Sequence, residues 1–302
     1  RAFAGWLALG WTEDPLENWL ARDDSGEPCG WYSLSLPQRE NRHQAWLSLV
    51  VHADRRRAGR GATLLRHAAG RAAQAGRTVL GGQAREDSPG AAFAGAVKAR
   101  LSLTGIHRVL PLDRVPVSQW AGLREEAEAA ARGYTLRTWA GPAPEDAVAG
   151  VAAVNGALAD APRPAGEEEQ VWDVARVRQD EHRVEAMGLR AHVVAAQAPA
   201  TGELAGLTQV CVDPATPEWG FQELTAVARP HRGHRLGLLV KLAMLDLLAA
   251  EEPQLTRILT GNDDGNEHMI AINDQLGFEV LDRWPWWELD VADVPTDPVG
   301  RA

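Results

Sequence analysis

Two kinds of apolar pattern run along the chain. Gly61–Ala75 places Leu64, Leu65, Ala68, Ala69 and Ala72 at helical spacing, with Gly76 where a helix-ending glycine belongs. Trp31–Leu36 and Gln44–Val51 are rich in Leu, β-branched and aromatic residues and read as strands around the polar turn PQRENRH. Thr78–Leu80 reads as another strand. The second half repeats this order more fully. Tyr134–Trp139, Ala191–Gln197, Leu204–Val212, Phe221–Val227, Leu255–Thr260 and Phe278–Val291 have strand character. Glu145–Leu158, Val174–Met187, Leu236–Ala250 and Asn266–Leu276 have helical character, the last ended by Gly277 and the third stopped before Pro253.

The repetition extends to an arginine-rich junction. Val51 is followed by Arg56, Gly59 and Gly61, and Val227 by Arg232, Arg235 and Gly237 at the same spacings. This is a duplication of a whole unit rather than a short-period array. The expected division is 1–113, a connector over 114–132 with the helical stretch SQWAGLREEAEAAARG, and 133–302. Fewer residues precede the junction in the first half, which predicts that it lacks the opening strand and helices of the second.

Composition narrows the class. Hydrophobic residues make up 45% and charged residues 24%, as in a globular protein, and no apolar run reaches a membrane span. A net charge of −10 argues against nucleic acid as partner. Arginine clusters on an acidic chain instead suggest a focused site for a small anion. Cys29 and Cys211 stand far apart, so no zinc ribbon or disulfide framework is expected, and His231 and His234 lack a third ligand for a metal. With no secretory leader apparent, a cytoplasmic setting with reduced thiols is expected.

A strand, a glycine-containing turn and a helix N-terminus together bind anions. The first helical turn carries unpaired N–H groups, the helix dipole adds positive charge, and glycine admits close approach. A pyrophosphate suits such a cradle, with arginines adding bidentate contacts. Neither GxxxxGK[ST] nor GxGxxG occurs here. The residues resemble the signature of the GNAT superfamily of acetyl-CoA-dependent N-acetyltransferases, [Q/R]-x-x-G-x-[G/A]. Arg56-Arg57-Ala58-Gly59-Arg60-Gly61 matches it in full, and Arg232-Gly233-His234-Arg235-Leu236-Gly237 matches except at Arg235. NEHMIAINDQLGF (Asn266–Phe278) resembles the family's N-x-x-A-x-x-x-Y-x-x-x-G-F helix, with a weaker copy at Ser88–Arg100. Tandem layouts of this kind are similar to actinobacterial double-GNAT proteins.

The resemblance implies an α+β fold: two tandem domains, each a central, mostly antiparallel twisted sheet flanked by helices. It implies acetyl-CoA as co-substrate and a small-molecule or peptide amine as acceptor, which attacks the thioester directly. CoA would be held by Val227, Arg232, Gly233, His234, Arg235, Leu236, Gly237, Leu238 and Asn266. In the first half the matching positions are Val51, Arg56, Arg57, Gly59, Arg60, Gly61 and Ala62. The backbone of Val51 or Val227 would polarise the acetyl carbonyl. The family's acid, a tyrosine, is replaced by Asn273 in the second half and Ala94 in the first, where Lys98 and Ala99 also replace the Gly-Phe pair. Glu223, on the motif strand, is the candidate base through a water. Gln222 and Thr225 either face the acetyl slot or complete the sheet, and Trp284, Trp286 and Trp287 are expected to pack. The second half is therefore expected to be catalytic and the first degenerate. The alternatives are catalysis in the first half and a non-enzymatic acyl-CoA-binding or sensing protein.

Overall fold

The computed structural model describes residue 10 and residues 14–160 and 166–295. Among these are eleven strands and seven α-helices. The strands are β1 (Leu16–Arg22), β2 (Pro28–Ser35), β3 (Gln44–Val51), β4 (Val79–Gln83), β5 (Arg100–Pro111), β6 (Thr135–Ala140), β7 (Arg190–Gln197), β8 (Leu204–Val212), β9 (Trp219–Val227), β10 (Arg257–Asp263) and β11 (Glu279–Asp290). The helices are α1 (Arg60–Gln74), α2 (Pro89–Ala96), α3 (Ala121–Ala130), α4 (Val148–Asn155), α5 (Val174–Ala186), α6 (Leu236–Glu251) and α7 (Glu267–Leu276).

The chain divides into two compact units. One gathers Ile106–Pro162 and Glu169–Leu281, and the other Ala4–Gly105 and Asp282–Ala302. In the first of these, β6, β7, β8 and β9 are antiparallel neighbours and β10 joins β9 in parallel. In the other, β1, β2 and β3 are antiparallel, β4 joins β3 in parallel, and β11 pairs antiparallel with β4 through Trp286–Asp290. The linear division at 113 and 133 is thus cut across inside β5 and β11, whose residues are shared out between the units.

Two strands went unforeseen, for physical reasons. β1 (LENWLAR) is an edge strand with Trp19 and Leu20 exposed, so it has no buried stripe to read. β5 carries Gly105, where a side chain would meet the indole of Trp286 and the carbonyl of Trp284. The helix expected over 145–158 is shorter, passing at Gly156 into a 3₁₀ turn that ends at Asp160. The expectation that the first half lacks an opening strand and helices turns on residues 1–9 and 11–13, which lie outside the described residues.

Helix α6 is apolar all round, and its buried residues, from Leu236 to Leu248, form the middle of one core with Val194, Val210, Ile258, Ile272 and Leu276. On the opposite sheet face, Val148, Val151 and Val154 of α4 and Val177 of α5 pack on Ala195, Leu207 and Ala226. Helix α1 buries its predicted stripe, Leu64, Leu65, Ala68, Ala69 and Ala72, against Tyr32, Leu34 and Leu80.

Candidate acyl-CoA site

The two arginine-rich junctions have the same backbone, residue for residue. Each strand ends in a short 3₁₀ turn, Ala53–Arg55 or Arg229–His231. Each is followed by an extended arginine, Arg56 (φ −72°, ψ 165°) or Arg232 (φ −70°, ψ 157°). The Nε of each donates back to the last strand carbonyl, Val51 at 3.2 Å and Val227 at 3.3 Å. Two left-handed residues come next. In the first half they are Arg57 (φ 63°) and Gly59 (φ 77°), and in the second Gly233 (φ 87°) and Arg235 (φ 52°). Glycine and arginine have exchanged places. Arg235 thus occupies the backbone well a glycine favours, and its guanidinium reaches Glu126 of α3 at 2.8 Å.

The helices that leave these junctions lack a capping side chain, whereas α2, α5 and α7 are capped by Ser88, Asp173 and Asn266. The helical ladder of α6 starts at Leu239 N–H to Arg235 O, 3.0 Å, and that of α1 at Thr63 N–H to Gly59 O, 3.0 Å. The amides of Leu236, Gly237 and Leu238, and of Arg60, Gly61 and Ala62, precede those ladders and suit an external acceptor. The side chains of Leu236 and Leu238 are buried, so these residues can offer only backbone. Gly61 and Gly237 are close-approach positions: a Cβ there would lie 3.3 Å from Phe93 and from Ile272 respectively.

A cavity of about 790 Å³ opens at the second junction. Its wall includes Thr225, Val227, Arg232, Gly237, Asn266 and Ile272. The volume lies in the range of cofactor sites. Asp160 stands at its rim and already bridges two arginines, Arg229 and Arg232, the latter at 2.6 Å. Both guanidiniums hold its carboxyl well below the usual carboxylate range. His231 is bound by Tyr134 and Glu203, and His234 approaches the Ala130 carbonyl, so both imidazoles are engaged in loop structure. Asn266 lines the cavity and caps α7 through Met269 N–H at 3.3 Å.

Glu223 sits at an irregularity that sequence could not reveal. Gln209 of β8 faces Leu224, but Val210 faces Gln222, so Glu223 is the extra residue of a β-bulge. The parallel pairing of β9 with β10 runs from Arg257↔Trp219 to Thr260↔Gln222 and ends one residue before it. The strands part where the carboxylate begins. The bulge turns Glu223 toward Arg183 and Asp180 of α5. Its side chain is exposed, yet crowded by the surrounding protein. That desolvation raises its pKa, opposed by Arg183 and helped by Asp180. A carboxylate displaced upward is a better base near neutrality. The same surroundings push the Cys211 thiol to about 12, chiefly through burial.

The first half differs at the equivalent strand. β2 and β3 stay in register from Gly30↔Val51 to Ser35↔Trp46, without a bulge. The Trp46 ring lies so close over Gly81 of β4 that a Cβ there would stand 2.3 Å from it, and it meets Trp286 edge-on. In the α2 copy, Lys98 (φ 61°) takes the left-handed position that Gly277 (φ 95°) fills after α7.

Asn273 corrects the sequence expectation of a site-facing residue. It is fully buried, accepts from Lys241 Nζ at 2.9 Å and donates to Asn262 at 2.7 Å. Its neighbours Ala271, Ile272 and Gln275 line the cavity instead. Lys241, Asp160 and Arg183 were not foreseen. Only Lys241 left a signal, as a lone charge in the apolar run LGLLVKLAMLDLL.

A solved tandem GNAT protein from the clavulanic acid biosynthesis pathway, without acetyl-CoA, matches with a TM-score of 0.81 at 32% identity, covering 98% of this chain and 88% of that one. The chain belongs to the GNAT family. The family model described as Acetyltransferase (GNAT) family matches residues 2–91. A GCN5-related N-acetyltransferase from Sphaerobacter thermophilus shares the fold, with a TM-score of 0.65 at 16% identity over 90% of this chain and 80% of its own. No curated protein matches. The mixed α+β architecture is that of a tandem GNAT protein, and the family's co-substrate is acetyl-CoA. Among the described residues no helix is long and apolar enough to cross a membrane.

Proposed function

We propose that this GNAT protein transfers an acetyl group from acetyl-CoA to a primary amine, and that the second half carries the reaction. The observation that carries this reading is the bulge at Glu223, placed where β9 and β10 separate and on the strand that leads into the uncapped α6. The pyrophosphate would rest on the amides of Leu236–Leu238, beside Arg232 and Arg235. A bulge leaves backbone groups out of the ladder. In our reading this moves the carbonyl-polarising N–H from Val227, paired with Gly206, to the bulge itself. Glu223 takes the proton of the attacking amine, directly or through a water. The amine approaches from the α5 side, where Asp180 and Arg183 face that carboxylate. Asp180 and Arg183 neutralise each other, so Glu223 leaves one net negative charge there, which favours a cationic acceptor. The first half, with an unbulged strand and Trp46 over Gly81, supports a structural or binding role. These roles are proposed for the expected divisions 1–113 and 133–302, with 114–132 between them.

A second reading, binding without turnover, is favoured by one observation: Asn273 is wholly buried and offers no acid to the thiolate. Calorimetry with acetyl-CoA and thiol release across a panel of amines separate the two. Binding with thiol release that falls about a hundredfold or more in Glu223→Gln is the expected result. Binding without release across the panel selects the second reading, and no binding removes both.

A further inference from the structure

Lys241 is a buried cation that the proposed site does not use. It stands in mid-α6, 3% exposed. Its ammonium donates to Gln222 Oε1 on β9 at 2.7 Å and to Asn273 Oδ1 on α7 at 2.9 Å, and it lies 5.2 Å from the centre of the Phe278 ring. Both amide partners are neutral, and Asn273 continues to Asn262 of β10. One lysine therefore joins α6, α7, β9 and β10 at the last paired level of the two parallel strands, Gln222↔Thr260. A buried ammonium without a carboxylate is costly to keep, so its retention asks for a reason.

The direction of the hydrogen bonds supplies one. Lys241 Nζ donates to both amide oxygens, so Gln222 turns its oxygen to Lys241 and its NH₂ the other way. That NH₂ donates to Thr208 Oγ1, and to Thr225 Oγ1 at 3.3 Å. The Thr208 hydroxyl donates to Leu224 O at 3.1 Å, and the two threonine oxygens are 2.7 Å apart. Thr225 therefore spends its proton on Thr208. It keeps a free lone pair, and it lines the large cavity.

We propose that Lys241 is a positioning residue for acyl-CoA binding: through Gln222 it fixes Thr225 as a hydrogen-bond acceptor in the cavity wall, for an N–H of the pantetheine arm. The proposal rests on the acetyl-CoA reading above. Without Lys241, Gln222 is free to flip, Thr225 no longer has a set polarity, and the arm loses its partner. The nucleotide end, held at the junction loop, is untouched.

The test is a double-mutant cycle in the full chain, read by calorimetry with CoA and with 3′-phospho-ADP, which lacks the arm. Lys241→Met and Thr225→Val should each weaken CoA roughly three- to tenfold, leave 3′-phospho-ADP unchanged, and combine without further loss. Gln222→Leu with Thr225→Val supplies the same cycle if Lys241→Met does not fold. Additive losses, or equal losses for both ligands, overturn the assignment while leaving the acetyl-CoA reading intact. Wild-type protein that binds neither ligand overturns both.

Discussion

Arg235 and Asp160 carry the sharpest residue-level consequences. Arg235 holds a left-handed backbone at φ 52°. That conformation costs an L-residue about 1–2 kcal/mol, and glycine loses a comparable amount through its freer unfolded chain. Arg235→Gly should therefore leave the melting temperature nearly unchanged. It should still weaken CoA binding, because it removes a guanidinium beside the pyrophosphate cradle. Tighter binding in the same titration would identify Arg235 as an obstruction. Asp160 is an internal anion that pairs with Arg229 and with Arg232, the arginine proposed to meet the pyrophosphate. Asp160→Asn frees Arg232 and should tighten CoA binding modestly, since the pair is exposed. The gain should shrink in high salt, which calorimetry at two ionic strengths checks.

At the scale of elements, α6 joins two demands that conflict. It is the apolar centre of its core, yet it buries an ammonium. Burial lowers the Lys241 pKa to about 7, from 10.5. The unfolded chain keeps that proton up to about pH 10.5 and the folded chain only to about pH 7. Between those values the unfolded state holds more protons, so this group makes stability rise with pH. The slope approaches 1.4 kcal/mol per unit in mid-window. Neighbours on β9, β10 and α7 are the neutral Gln222, Asn262 and Asn273, with the Phe278 ring behind. Urea midpoints at about pH 7.5 and about pH 9.5 should differ more for wild type than for Lys241→Met.

How legible these elements were followed from where their side chains end up. Helices with a buried stripe, such as Leu64 to Ala72 of α1, and strands buried between two layers, such as β8, lay open in the sequence. So did the helix-ending Gly277. The edge strand β1 did not, since its residues face water. The bulge was invisible because it is a property of pairing: nothing in FQELTAV says which residue has no partner. Lys241 could be seen as an oddity, but its partners come from three other elements, and no local pattern brings them together. The left-handed state of Arg235 was foreshadowed only by comparison with Gly59.

At the scale of the molecule, the two halves keep one loop and differ in what surrounds it. The first retains the complete signature and an uncapped helix, but its motif strand is unbulged. The second has lost a signature glycine and kept the bulge. Separate Arg56→Ala and Arg232→Ala variants should therefore diverge. Thiol release is expected to fall in the second and to persist in the first. Loss only with Arg56→Ala would transfer the chemistry to the first half.

The pairing of β11 with β4 has a consequence for the order of events on the ribosome. Trp286–Asp290 complete the sheet that begins with β1. Tandem domains generally fold in turn as they emerge. Here the sheet of β1–β4 must wait for β11, which follows all of β5–β10 along the chain, before it can close. A stop codon just after β10 would therefore remove more than the end of the second half. It would also strand the first half with an open β4 edge, the kind of unpaired edge that recruits other chains.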